Sequence, residues 1–265
     1  MQQAKFWILA VVALAMVVAL EIKLQLWTVA STSPENNASR RLVDFAGIVL
    51  WAWERPEDLR FIDPDKTAVA FLAKTIHLRG DKVVSRPRLQ PLRVPDSALL
   101  IAVARIETDG SEFPSLSRDQ LSRVIAEIVT LAQTATVAGI QIDFDATVSE
   151  RTFYRNLILE LRARLPPSLA LSITALASWC QGDNWLTDLP VDEAVPMLFR
   201  LGADREQIRR HLASGKTFAS DRCRKTAGVS VDEPLAQLPR VDRLYVFNPA
   251  PWSSNAVNSL MKAYE

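Results

Sequence analysis

Cysteine, histidine and an excess of charge of either sign are all scarce in this chain. Its 265 residues include two cysteines and two histidines, and the formal net charge is +1 with a pI near 7.8. A chain so close to neutrality lacks the basic field that attracts nucleic acid or acidic lipid, so we expect no nucleic-acid partner. His77 and His211 are isolated, without HExxH-type spacing. Two thiols far from either histidine supply too few ligands for a metal, and none is expected.

Sequence motifs of several common enzyme classes are missing as well. No glycine-rich phosphate loop follows any candidate strand, which removes the usual reason to predict a nucleotide-binding sheet. No Gly-x-Ser-x-Gly elbow is present, so a serine hydrolase has no support. Internal repeats and low-complexity segments are absent too. The sequence therefore gives no reason to expect a cofactor.

The first thirty residues form an apolar segment with a positive start. Lys5 precedes an uninterrupted apolar run at residues 6–20, and Glu21 and Lys23 break the run that continues to residue 29. This order is typical of an export signal. We predict a signal peptide or an uncleaved inner-membrane anchor at residues 1–30, then a Ser-, Asn- and Pro-rich linker at 31–41. A periplasmic location is expected under both alternatives.

Cys180 and Cys223 are the only two cysteines. An even pair in an exported chain suggests one disulfide, which would close a loop of about 40 residues and contribute about 2–4 kcal/mol. Two unpaired buried thiols are the alternative.

Candidate strands alternate with candidate helices from residue 42 to the end. Such alternation favours a parallel α/β fold, and about eight strands in some 225 residues fit a single (β/α)8 TIM-like barrel at residues 42–265. The predicted strands are 45–53, 67–78, 98–106, 139–145, 169–179, 194–201, 226–231 and 243–248. The predicted helices are 117–135, 147–165, 204–214 and 254–264, with an extended connection at 86–95.

The fourth predicted strand carries two carboxylates on one face. At residues 139–145 apolar and polar residues alternate, so that Gln141, Asp143 and Asp145 share a face. Neighbouring carboxyls tend to push their pKa values apart, which allows them to divide acid and base roles. A solvated strand end or an Asx turn is the structural alternative.

In a barrel of this kind the carboxyl ends of the strands converge on one mouth. We expect Asp145 to donate a proton while Asp143 tunes it. Carboxyls two apart on one strand cannot act from opposite faces of a bond that is to be broken, so a second catalytic carboxyl would come from Glu54, Glu107 or the substrate. Trp51, Trp53 and Trp179 would stack on a ligand or anchor the core. The remaining predicted binding residues are Gln141 and two arginines, Arg105 and Arg200, which would clamp a substrate carboxylate or neutralise nearby acids.

The same strand resembles the fourth-strand signature of glycoside hydrolase family 18, Asp-Gly-x-Asp-x-Asp-x-Glu. Gly139 matches the glycine, Asp143 the last aspartate and Asp145 the acid position, whereas Gln141 stands where an aspartate is expected. Asp145 is one methylene shorter than the glutamate of the signature, which sets the acid back by ~1.5 Å. The resemblance implies a glycosidase-like barrel whose activity is either shifted deeper into the site or lost.

A more extensive resemblance is to a bacterial family known as domain of unknown function 3142. The stretches that carry it are WAWERPEDLRFI at 51–62, GIQIDFDAT at 139–147, LSITALASWC at 171–180, DEAVPMLFRLG at 192–202 and VFNPAPW at 246–252. This resemblance implies a barrel and an envelope location, but no substrate.

Three functions remain open on the sequence alone. The leading prediction is a carbohydrate-active envelope protein, most simply a glycoside hydrolase that uses Asp143 and Asp145. The second is a glycan-binding or structural barrel without catalysis, and the third is an envelope assembly protein that acts through its surface. The expected partner is a polysaccharide or another glycan, together with the inner membrane if the N-terminal segment is uncleaved.

Overall fold

The computed structural model describes residues 41–42, 45, 47–134, 136–235 and 240–264. Every element below belongs to one compact unit, residues 44–265. The predicted export segment and, apart from Arg41, the predicted linker lie outside the described residues, so those boundaries stay predictions. Among the residues that are described, no helix combines the length and hydropathy needed to cross a membrane.

Eight parallel strands form a closed barrel. They are β1 (Ile48–Ala52), β3 (Thr67–Arg79), β6 (Leu100–Thr108), β7 (Gly139–Asp143), β8 (Ala170–Leu176), β9 (Glu193–Met197), β10 (Thr226–Ser230) and β11 (Arg243–Phe247). Each strand pairs with the next, and β1 closes the ring by pairing with both β11 and β3. The predicted single-domain α/β fold with an eight-stranded parallel barrel is therefore confirmed.

Helices cover only part of the outside of the barrel. They are α1 (Arg118–Thr134), α2 (Arg151–Arg164), α3 (Ala177–Gly182), α4 (Arg205–Ala213) and α5 (Ser254–Tyr264), with 3-10 turns at Val148–Glu150, Asn184–Leu186, Gly202–Asp204 and Asp221–Cys223. The first connections use strands instead: β4 (Lys82–Pro87) pairs antiparallel with β3, and β2 (Glu57–Asp58) pairs with β5 (Leu92–Arg93). Prolines recur in these connections and disfavour helix there.

The two faces of β7 have different environments. Ile140 and Ile142 join one buried cluster with the apolar stripes of α1 and α2, whereas Gln141 and Asp143 hydrogen-bond with side chains of the neighbouring strand β8. The alternating apolar and polar side chains of β7 therefore point in turn toward the helix layer and toward the barrel interior. This register points the carboxyl of Asp143 toward the carboxyl end of the barrel interior.

Three strands end at least two residues earlier than the sequence predicts. β7 stops at Asp143, so Asp145 lies in the connection after the strand. β8 stops at Leu176, and Trp179 lies in α3 rather than at a strand end. Ala177 and Cys180 are both buried, and residues three apart share a face in a helix but not in a strand. β9 stops at Met197, and Arg200 has a φ of 50°, a left-handed conformation that no strand continues through.

The predicted disulfide between Cys180 and Cys223 is present. It joins α3 to the 3-10 turn at Asp221–Cys223, and the backbone N–H of Ser220 also donates to the carbonyl of Cys180, at 3.2 Å. The bond therefore fastens two connections that lie next to each other, one after β8 and one before β10.

Candidate functional site

A cavity of about 270 Å³ opens at the carboxyl ends of the barrel strands. Acidic, basic and aromatic side chains all line it. Packing of a hydrophobic core would not require this combination. The lining consists of Trp51, Trp53, Arg105, Asp143, Asp145, Thr174, Leu176, Ala177, Ser178, Met197, Phe199, Arg200, Leu201, Asp204 and Phe247. The structure thus brings together six of the predicted site residues: Trp51, Trp53, Arg105, Asp143, Asp145 and Arg200.

Asp143 is the buried acid of the cavity. Its carboxyl accepts a hydrogen bond from the Thr174 hydroxyl at 2.7 Å, and Arg105 is its register partner on β6. Burial raises the pKa of Asp143 to about 6, against the lowering effect of the Thr174 hydrogen bond, and the negative charge of Asp145 raises it further. A carboxyl with this pKa exchanges its proton near neutral pH.

Asp145 lies two residues farther along the chain, at the rim. Its side chain is exposed, yet it lines a concave cavity in which protein replaces much of its hydration. This partial desolvation raises the pKa of Asp145, and the nearby positive charge of Arg105 opposes the rise. Both acids therefore hold their protons to higher pH than ordinary aspartates do, as a proton donor in a catalytic site requires.

Arg105 is held between a carboxylate and an indole. Its Nε lies 2.8 Å from Oε1 of Glu107, whose other oxygen lies 3.2 Å from Nδ1 of His77. The guanidinium carbon is 5.8 Å from the ring centroid of Trp53. Glu107 thus orients Arg105 from outside the cavity lining.

Four aromatic side chains form one wall of the cavity. Phe199 and Phe247 stack with ring centroids 5.7 Å apart and an interplanar angle of 4°. Trp53 meets Phe247 edge-on at 6.3 Å, and Trp51 lies 6.2 Å from Phe199. Arg88 donates to the backbone carbonyls of residues 52, 53 and 55, which holds the turn that carries Trp53.

Hydrogen bonds in the barrel interior hold the Trp51 side chain in position. Its indole N–H donates to Oε1 of Gln141 at 2.9 Å, and the amide nitrogen of Gln141 donates to Ser172 at 3.0 Å. Gly228 on β10 leaves room for the ring, because a Cβ there would lie 2.8 Å from a Trp51 carbon. Gln141 is fully buried and does not line the cavity, so it acts on the site through Trp51.

Arg200 closes the far side of the aromatic wall. Its left-handed backbone presents the N–H to the Glu233 carboxylate at 3.2 Å, and its guanidinium carbon lies 5.2 Å from the Phe247 ring centroid. The side chain is exposed at the cavity. Arg200 therefore offers hydrogen-bond donors at the entrance.

Four predicted site residues do not line the cavity: Gln141, described above, and Glu54, Glu107 and Trp179. Glu54 is exposed in the bend after β1, and Glu107 contacts Arg105 and His77. Trp179 is 4% exposed and meets Trp185 edge-on at 4.8 Å, so it contributes to the core between α3 and its neighbours. Neither glutamate is placed opposite Asp145 across the cavity.

Nine lining residues were not singled out by the sequence analysis. Four of them contribute a carboxyl, an aromatic ring or the hydroxyl that contacts Asp143: Thr174, Phe199, Asp204 and Phe247. Phe199 and Phe247 lie at the ends of predicted strands, so the rule that barrel strands converge would have found them. Thr174 shares the inward face of β8 with Ser172. Asp204 begins a predicted helix, and its position looks like an ordinary helix cap in the sequence.

A second cavity, of about 460 Å³, lies on the outside of the barrel. Residues of α1, of α2 and of the turns before them line it, among them Leu121, Phe153, Asn156 and Leu159. No strand end contributes to it. In the described part of the chain, no group of three or more His, Cys, Asp or Glu side chains is arranged to hold a metal ion.

Comparison with known proteins finds a partial match to one family model and a structural neighbour. The family described as domain of unknown function DUF3142 matches residues 96–200, which confirms the predicted resemblance over β6 to β9, including Arg105, Asp143 and Asp145. The crystal structure of the Bacillus cereus spore cortex-lytic enzyme SleL matches with 14% identity and a TM-score of 0.47, over 83% of this chain and 58% of that enzyme. No protein of curated function matches significantly.

Proposed function

We propose that the mouth of the barrel is a carbohydrate-active site in which Asp145 acts as proton donor to a glycosidic oxygen. The observation that carries the proposal is the amphipathic cavity: an aromatic wall of Trp51, Trp53, Phe199 and Phe247 together with carboxyl and guanidinium groups. A sugar ring has apolar C–H faces and hydroxyl groups around its edge. Aromatic rings pack against the first, and charged groups hydrogen-bond with the second.

The size of the cavity suits a small portion of a glycan. Its volume of about 270 Å³ is close to the lower end of the roughly 300–1,000 Å³ typical of small-molecule sites. One sugar ring would fill it, and a longer chain would continue past Asp145 and Arg200 at the entrance. The proposal therefore places one residue of a polysaccharide inside and the rest at the rim.

The two carboxyls have complementary tasks. Asp145, at the rim, reaches the substrate and gives its proton to the leaving-group oxygen. The charge that Asp145 then carries raises the pKa of Asp143, so Asp143 takes up or keeps a proton, which removes the repulsion between two adjacent anions. Arg105 lowers the pKa of both acids and limits the rise that burial causes.

A second candidate function is glycan binding without hydrolysis. Gln141 and Asp145 stand where the family 18 signature has an aspartate and a glutamate. The amide oxygen of Gln141 accepts a hydrogen bond from Trp51, and its amide nitrogen donates one to Ser172. Both ends of this side chain are therefore engaged inside the protein. A barrel that keeps its aromatic wall, but whose Asp145 is too short to reach the glycosidic oxygen, would bind sugars without hydrolysing them.

Release of reducing ends separates the two candidates. The full chain is incubated with a panel of bacterial envelope and exopolysaccharides, beside Asp145→Asn and the control Asp65→Asn, an exposed aspartate just before β3 at the opposite end of the barrel. We expect release by the native chain and by Asp65→Asn, and a loss of about 10²-fold or more in Asp145→Asn. Binding by all three proteins without release would favour the glycan-binding barrel.

The proposed location is the periplasm, with or without an inner-membrane anchor. The Cys180–Cys223 disulfide supports it, because disulfides are typical of proteins outside the cytoplasm. The apolar start of the sequence points the same way. In Gram-negative cells, alkylation of free thiols before and after reduction would report whether the bond forms in the periplasmic fraction.

A further inference from the structure

We infer that Asp204 is the second catalytic carboxyl of this site, acting as general base on a water molecule, and that hydrolysis proceeds with inversion of the anomeric carbon. The inference rests on the proposed function and assigns it a stereochemical course. Asp204 lines the same cavity as Asp143 and Asp145, whereas Glu54 and Glu107 do not. It lies in the connection that follows β9, at the end of the 3-10 turn Gly202–Asp204.

The carboxylate of Asp204 is not used by the helix that it precedes. An aspartate at a helix N-cap ordinarily accepts a hydrogen bond from one of the first backbone N–H groups. Asp204 is the N-cap residue of α4, yet its side chain makes no capping hydrogen bond. It is exposed and borders the cavity instead. The oxygens of Asp204 are therefore open to a water molecule or a ligand.

Asp145 and Asp204 reach the cavity from two connections that are not neighbours. Asp145 follows β7 and Asp204 follows β9, and β8 lies between these two strands. Neighbouring strands are about 4.8 Å apart along the sheet, so the two connections leave the barrel one strand apart from direct neighbours. Inverting glycosidases hold their carboxyls roughly 6.5–9.5 Å apart to leave room for water, and retaining ones hold them at about 5–5.5 Å. A carboxylate on a separate connection can hold a water molecule against the sugar, and a single displacement by that water inverts the anomeric carbon.

The reaction step balances with water as the co-reactant. Asp204 removes one proton from water as the water oxygen forms a bond to the anomeric carbon on one face of the sugar. The bond from that carbon to the glycosidic oxygen breaks on the other face, and Asp145 gives its proton to the departing oxygen. The products are an alcohol and a hemiacetal of inverted configuration, and Asp204 returns its proton to Asp145 through solvent.

The test follows the first-formed anomer by proton NMR on whichever glycan of the panel is cleaved. Asp204→Asn is compared with Glu206→Gln, a change to an exposed carboxylate in the first turn of α4 that does not line the cavity. We expect an inverted product from the native chain and from Glu206→Gln, and a fall in kcat of about 10²–10⁴-fold in Asp204→Asn with KM nearly unchanged.

Azide supplies the readout that a purely structural role of Asp204 would not move. Because azide needs no general base, it should restore turnover to Asp204→Asn and give a glycosyl azide of inverted configuration, while leaving Asp145→Asn inactive. A retained anomer, or native rates in Asp204→Asn beside an inactive Asp145→Asn, would overturn the assignment of Asp204 alone. Absence of turnover by the native chain on every glycan would overturn the proposed hydrolase together with this inference.

Discussion

Asp143 makes the stability of the barrel depend on pH. Its pKa rises from the ordinary 3.8 to about 6 in the folded protein, chiefly because the carboxyl is buried. The folded state therefore binds this proton more tightly than the unfolded state does. Stability contributed by the neutral form is complete below about pH 4 and is lost as the pH rises toward 6. At ~1.4 kcal/mol per pKa unit, the loss amounts to about 3 kcal/mol.

We expect Asp143→Asn to be more stable than the native chain at pH 7, by up to about 3 kcal/mol. The asparagine keeps the shape and can still accept from Thr174, but it carries no charge to bury. Denaturant unfolding at pH 4, 5.5 and 7 measures the difference, which should shrink toward zero at pH 4. An advantage that is equal at all three pH values would contradict the burial of an ionising Asp143.

Gly228 is a second residue with a testable effect on stability, because adding one carbon atom there would crowd Trp51. A Cβ at this position would lie 2.8 Å and 3.2 Å from two ring carbons of Trp51 and 3.4 Å from the carbonyl oxygen of Pro196. We expect Gly228→Ala to lower the free energy of unfolding by about 1–3 kcal/mol, because the indole must leave its place. It should weaken glycan binding as well.

Gly110→Ala is the matched control, since a Cβ at Gly110 meets nothing within 4 Å. Chemical denaturation gives the stability of both variants, and titration with the bound glycan gives their affinities. If Gly228→Ala unfolded and bound like Gly110→Ala, the close packing of Trp51 against β10 would be wrong.

At the level of elements, the disulfide holds one side of the cavity. Ala177 and Ser178, the first residues of α3, line the cavity, and Cys180 ties the same helix to Cys223. The bond closes a sequence separation of 43 residues. Loops of this length yield about 2–4 kcal/mol of stabilisation when cross-linked.

We expect a reductant to lower the denaturation midpoint of the native chain by the equivalent of about 2–4 kcal/mol. The Cys180→Ala/Cys223→Ala double variant should show the lower midpoint already and respond to the reductant no further. Urea unfolding with and without dithiothreitol measures both. A native chain that the reductant leaves unchanged, although thiol titration shows full reduction, would contradict a stabilising role.

The elements also show where sequence patterns suffice. Hydrophobic periodicity predicts α1 within one residue at each end and predicts α5 fully. It does not find the start of α3, because the N-cap residue is Leu176 and makes no side-chain cap, so the apolar run reads as a continuing strand. The end of β9 is missed for a similar reason: an arginine in left-handed conformation carries no glycine-like signal.

At the scale of the whole molecule, closure of the barrel decides which distant residues meet. The pair Asp143 and Asp145 could be predicted from one strand, because both residues follow from local alternation. The contact of Trp51 with Gln141 joins residues 90 positions apart, and Asp204 reaches the cavity from a connection two strands away. Such pairings depend on register around the ring, which no local pattern encodes. They are the part of the candidate site that only the structure supplies.

The position of a bound sugar tests the central claim most directly. We would determine the crystal structure of Asp145→Asn with an oligosaccharide of the glycan that binds or is cleaved. The account predicts one ring against Trp53, Phe199 and Phe247, with a glycosidic oxygen within about 3 Å of the side chain at residue 145. A sugar bound in the outer cavity between α1 and α2, with the barrel mouth empty, would contradict it.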